Sequence, residues 1–168
     1  MRKWSKADAI TLGDGADTVT LNASGTLTTA DNAEAAVSIT NFTSKIDKIA
    51  FTGSDISSFT TSNVDPQTID KGVLVKDKIY VGDGSNPEAK DLVTFKALFD
   101  SDGSTGIKAL TTGESFIILT KVSADSTAMN FWYVKGAGTD ADISDDIIVL
   151  LGTVDNGTKD TFTAEDFA

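Results

Sequence analysis

Cysteine and histidine are both absent from this 168-residue chain. Without cysteine there is no disulfide framework and no thiolate metal site. Without histidine the usual general base near neutral pH is missing. Glutamate is scarce as well, with 4 residues against 21 aspartates. Bases number 14 against 25 acids, a formal net charge of -11. A surface that negative excludes nucleic acid as a partner, because binding a phosphate backbone needs excess lysine and arginine. The opening MRKWSKADA is basic but has no apolar run behind it. It is neither a signal peptide nor a membrane-inserting segment, and it reads as a domain boundary with the export route outside this stretch. The run from Gly13 lacks the lysine that a phosphate-binding loop requires. No pair of acids stands out as a glycosidase dyad. The chain therefore reads as non-catalytic.

Aspartate and threonine fill the space. Aspartate suits turns, caps and metal loops, whereas glutamate would suit helices. The 23 threonines favour strands. Hydrophobic residues make up 40%, enough for one sizeable core. A short unit recurs: an aspartate, any residue, then an apolar residue opening a strand. It occurs at Asp8–Ile10, Asp17–Val19, Asp47–Ile49, Asp77–Ile79, Asp91–Val93, Asp145–Ile147 and Asp160–Phe162. An aspartate at a strand mouth is either a turn residue or a hard oxygen ligand for calcium. At Asp47 and Asp77 the following lysine can neutralise the carboxylate, which favours the turn.

The clearest local repeat lies in residues 4–22, where Asp8 and Asp17 are nine residues apart, as are Ile10 and Val19. Gly13, Asp14 and Gly15 between them can make a tight turn with positive φ. LGDGADTVT at 12–20 resembles the nonapeptide of RTX proteins, G-G-x-G-x-D-x-apolar-x. Gly13, Gly15, Asp17 and Val19 match its second, fourth, sixth and eighth positions, and Leu12 departs at the first. SKADAIT before it fits at Asp8 and Ile10. The segment ITNFTSKIDKIAF at 39–51 is similar to the I-x-D-F-x-x-G-x-D-K-I-x-F pattern that follows such repeats in type I-secreted proteins. There Asn41 replaces the acid and Lys45 the glycine. The tail from 139 to 168, with eight acids and one base, looks like the end of a calcium-dependent surface-layer or RTX-type protein. The resemblance covers 1–51 and 140–168. It implies β-roll-like turns that hold Ca2+ with aspartate carboxylates and neighbouring carbonyls, here Asp8, Leu12, Gly13, Asp14, Gly15 and Asp17. It also implies a secreted protein of the bacterial cell surface.

Further on, VLVKDKIYV at 73–81, ESFIILTKV at 114–122, AMNFWYVKG at 128–136 and DIIVLLGTV at 146–154 read as strands. VSADS between the second and third is short enough for a hairpin. LVTFKALFD at 92–100 fits a strand or a short helix. Residues 52–72 read as a long polar loop interrupted by Pro66. The expected fold is all-β: an antiparallel sandwich-like domain over 23–168, with RTX-like β-roll turns over 1–22 at its N-terminal end. Asp140, Asp142, Asp145 and Asp146 form a dense cluster, either a solvated acidic loop or a second calcium site. In AMNFWYVK, Phe131 and Tyr133 share one face and Trp132 the other. An exposed Trp132 would mark a sugar or protein contact.

These readings converge on a calcium-binding structural module that assembles with copies of itself or with lattice neighbours. The alternatives are an adhesin module gripping a surface glycan or protein, and a C-terminal export signal read by the type I secretion machinery. Deleting 159–168 is expected to abolish export while leaving the remainder folded.

Overall fold

The computed structural model describes residues 8–22, 37–66, 75–81, 86–100, 107–108, 112–137, 143–155 and 162–168. It is a mostly β-sheet domain with one minor helix. The strands are β1 (Ala9–Thr11), β2 (Thr18–Asn22), β3 (Val37–Thr40), β4 (Lys48–Thr52), β5 (Val64–Asp65), β6 (Lys78–Tyr80), β7 (Phe99–Asp100), β8 (Ile107–Lys108), β9 (Ser115–Lys121), β10 (Ala128–Lys135) and β11 (Ile147–Asp155). The helix, α1, spans Leu92–Lys96. The sequence also reads as strand over 26–29, TLTT, which lies outside the described residues.

The hairpin read from the sequence is present: β9 and β10 pair antiparallel, with Met129 opposite Lys121 and Lys135 opposite Ser115. β11 adds to the other side of β10, also antiparallel. The sheet as a whole departs from the expected antiparallel arrangement. Its seven strands run in the order β1-β3-β11-β10-β9-β6-β5. Only β9–β10 and β10–β11 are antiparallel, and the pairings β1–β3, β3–β11, β6–β9 and β5–β6 are parallel. β2 and β4 form a separate parallel pair, as do β7 and β8. The turn between β1 and β2 carries the chain from the large sheet into the small one, and each strand takes a partner from a later pass of the chain, β3 for β1 and β4 for β2.

Both faces of the large sheet are covered. Met129, Phe131 and Tyr133 of β10 pack into one buried cluster with Val19 and Leu21 of β2 and Ile49 of β4. Trp132 and Val134 point into a second cluster with Phe95 of α1. Two covered faces explain why β9 and β10 are apolar without alternation. The sheets close most tightly at Gly152. A Cβ there would stand 3.0 Å from a Leu21 methyl and 3.2 Å from the Val37 carbonyl. The register of β10 on β11 shifts beside it, between Phe131 and Trp132.

Trp132, whose exposure would have marked a sugar or protein contact, is 1% exposed. Its ring stacks on Phe95 at 4.6 Å, and its Nε1 donates to Thr120 Oγ1 at 3.0 Å. With Phe95 laid over this face, Trp132 offers no platform for a sugar.

Candidate functional site

The parallel pairings build three layers, of which the first two are each a strand, a turn and a second strand. The first is β1, residues 12–17 and β2. The second is β3, residues 41–47 and β4. The third begins in β11 and ends at Phe167, which forms a parallel bridge with Ile49. Register places Ile10 beside Ile39 and Ile39 beside Val154 in the large sheet. It places Val19 beside Ile49, and Ile49 beside Phe167, in the small one.

An aspartate stands immediately before the second pass of each layer, ahead of β2, β4 and the Phe167 bridge: Asp17, Asp47 and Asp166. The Asp47 side chain is buried. Its Oδ1 accepts the Asp17 N–H at 3.0 Å, in the preceding layer, and its Oδ2 accepts the Thr43 N–H at 2.7 Å, in its own. Asp166, also buried, repeats the arrangement. Its Oδ1 accepts the Lys45 N–H at 2.6 Å and the Ser44 hydroxyl at 2.8 Å, and its Oδ2 accepts the Thr163 N–H at 2.6 Å. Each carboxylate thus ties its own turn to the one before it through charge-assisted bonds, the stronger class of protein hydrogen bond. Lys48, expected to neutralise Asp47, instead donates through Nζ to the Glu165 carbonyl; backbone amides take its place at the carboxylate. Two residues before the aspartate the backbone is left-handed in both leading turns: Gly15 has φ 111° and Lys45 φ 68°. Lys45 occupies the position where the related pattern has glycine.

The first two turns and the end of β11 enclose an open cleft of about 580 Å³. Leu12 and Phe42 are its buried apolar residues, and Gly13, Asp14, Asn41, Thr43 and Asp155 line the rest. The Asp155 carboxylate accepts from Thr127 Oγ1 at 2.7 Å, and its carbonyl accepts the Phe42 N–H at 3.2 Å. The polar side chains among the lining residues are two carboxylates, Asp14 and Asp155, one amide, Asn41, and one hydroxyl, Thr43. This is the donor chemistry that suits calcium rather than a softer metal.

The residues singled out as metal ligands separate. Leu12, Gly13 and Asp14 line the cleft, and Gly15 shapes the same turn. Asp17 contributes its backbone to the ladder and does not line the cleft. Asp8 is exposed, and its carbonyl accepts the Ser38 N–H at 2.8 Å. Asp145 is exposed in a short 3-10 turn at Ile143–Asp145. Asp146 is buried and accepts the Ala137 N–H at 3.1 Å. Asp140 and Asp142 lie outside the described residues. Among the described residues no three acidic side chains converge as a metal-holding group. Asp91 differs from its apparent equivalents: it caps α1 and accepts the Thr94 N–H at 2.8 Å. The Thr94 amide and hydroxyl hold its carboxyl below the usual range.

Sequence reading missed Asp155 and Asp166. A signal for Asp166 exists, since Phe42-Thr43 with Asp47 is echoed by Phe162-Thr163 with Asp166, one residue shorter. Phe42 and Phe162 also meet in space, with ring centroids 5.4 Å apart. No protein-family model, curated protein or solved structure matches the chain.

Proposed function

We propose that the chain is a non-catalytic structural module of a secreted bacterial surface protein, and that Ca2+ strengthens its fold and favours its assembly into a surface array. The observation that carries this reading is the aspartate ladder, in which Asp47 and Asp166 are spent on backbone amides between successive turns. Side chains used in this way serve a scaffold. Asp14 and Asp155, at the cleft, are the carboxylates that would hold the ion, assisted by the Asn41 and Thr43 oxygens. Calcium there supplies two positive charges to a chain of net charge -11 and links the first turn to the end of β11.

Two carboxylates make a weak site, of the sub-millimolar to millimolar class found in extracellular modules. At a calcium concentration ten to a hundred times Kd, linkage raises the melting temperature by about 3–10 °C over chelator. Asp14→Ala should abolish that shift, whereas Asp17→Ala should keep it. Identical melting curves in calcium and chelator, or a shift that survives Asp14→Ala, would remove calcium from this account.

The burial of Trp132 leaves the adhesin alternative without its aromatic contact. The export alternative meets a different obstacle. Phe162, Asp166 and Phe167 are buried in the layer stack, so deleting 159–168 would damage the fold along with any export signal, and the two effects cannot be separated that way.

A further inference from the structure

The three layers are equivalent in register but not in environment. Ile39 and Val154 are 0% exposed, whereas Ile10, at the same position in the first layer, is 36% exposed. Asp47 and Asp166 each cap the amides of a preceding turn. Among the described residues nothing bonds to the carboxylate of Asp17, which stands at the same place in the first described layer. Among the described residues β1 is an edge of the large sheet, and β2 pairs with no strand but β4. All three residues of β1 are exposed. An edge of this kind is a template for one more strand.

We propose that the β1/β2 edge docks an extended, basic strand–turn–strand segment of another polypeptide, added in parallel as a further layer. Its turn amide would bond to Asp17, and its first strand would cover Ile10. Charge selects the partner. Residues 8–22 carry Asp8, Asp14 and Asp17 and no base, a net of -3. Residues 37–52, which pair with the opposite edge of this layer, carry Lys45, Lys48 and Asp47, a net of +1. The fold already sets a basic layer on one side of the acidic one, and the open side invites the same. A second copy presenting its own β1/β2 edge would bring like charges together. The proposal goes beyond the calcium reading and does not depend on it, since neither Ile10 nor Asp17 lines the cleft.

The test uses a fluorescent synthetic peptide of residues 37–52 added to the full chain, followed by anisotropy with calcium chelated. On the open edge its Lys45 amide would meet Asp17 as, within the fold, it meets Asp166. Saturable binding is expected, weakened about tenfold or more by Asp17→Ala, by Ile10→Lys, and by a peptide with both lysines replaced by glutamate. Asp17→Ala separates edge docking from exchange with the chain's own second layer, which bonds to the Asp17 backbone amide and not to its carboxylate. Its melting temperature should match the parent's. No saturable signal up to about 1 mM peptide, or equal affinity for parent and both variants, would overturn the proposal. A concentration-dependent dimer in sedimentation that Ile10→Lys abolishes would also overturn it, by giving the edge to a second copy.

Discussion

The β9–β10–β11 slab and the three-layer stack are held together in different ways. In the slab, strands of 7, 8 and 9 residues run antiparallel over long registers. Apolar side chains fill both faces. The polar groups inside are paired with one another or with backbone: Asn130 Nδ2 donates to the Ala89 carbonyl at 2.9 Å and Thr153 Oγ1 to Asn130 Oδ1 at 2.6 Å. In the stack, apart from the shared β11, the strands are 3 to 5 residues long. Such strands bury little each, and their turns leave backbone amides to be satisfied. There the buried aspartates provide the missing acceptors. Ladder length stabilises one region, and carboxylate stitching compensates for its shortage in the other.

The sharpest way to break this comparison is Asp47→Ala. It would leave the Asp17 and Thr43 amides without acceptors and should cost about 2–4 kcal/mol in urea unfolding. Asp47→Asn, which keeps one acceptor oxygen, should cost less. If Asp47→Ala cost no more than an ordinary surface change, within about 0.5 kcal/mol, the turns would not depend on their carboxylates.

Alkaline pH should act on the slab instead. Burial, aided by the nearby Asp55 carboxylate, pushes the Tyr133 phenol well above its ordinary value of 10.0. The folded state therefore keeps its proton where the unfolded chain loses it. The stability this confers is fully present below pH 10 and falls as pH rises from there towards the folded value. Tyr133→Phe should flatten that decline when stability is measured between about pH 9 and 11; an unchanged slope would place the alkaline sensitivity elsewhere.

The smallest expected effect returns to the stack. Lys45 holds a left-handed backbone that glycine adopts without strain. Lys45→Gly should therefore stabilise by about 0.5–1 kcal/mol. Its ammonium lies 4.0 Å from Glu165 on an exposed surface, a pair that contributes little. A loss of stability on thermal unfolding would show that this pair outweighs the backbone strain.

Much of the slab was legible in advance. Apolar runs of seven to nine residues, separated by the five-residue VSADS, specify strands and a hairpin from local pattern alone. The aspartate–x–apolar unit also marked strand openings at β1, β2, β4, β6 and β11. It misled at Asp91, where Thr94 follows at capping distance and Leu92, Phe95 and Leu98 share a helical face, so the same carboxylate starts a helix. The candidate site was half legible. Leu12, Gly13 and Asp14 follow from the glycine–aspartate turn, whereas Asp155 comes to the cleft from a strand that no local spacing connects to it.

The sequence by itself determined that the chain would be β-rich, rich in turns and without thiol or imidazole chemistry, because composition and short-range periodicity decide these. Tertiary structure decided which strands pair, in which direction, and what each aspartate does. Parallel partners in the layer stack lie about thirty residues or more apart, and no local pattern encodes that choice. A carboxylate at a strand mouth has the same sequence signature whether it caps an amide, lines a cleft or faces solvent. At Asp47, Asp14 and Asp8 the outcome depends on what the neighbouring layer brings within hydrogen-bonding reach.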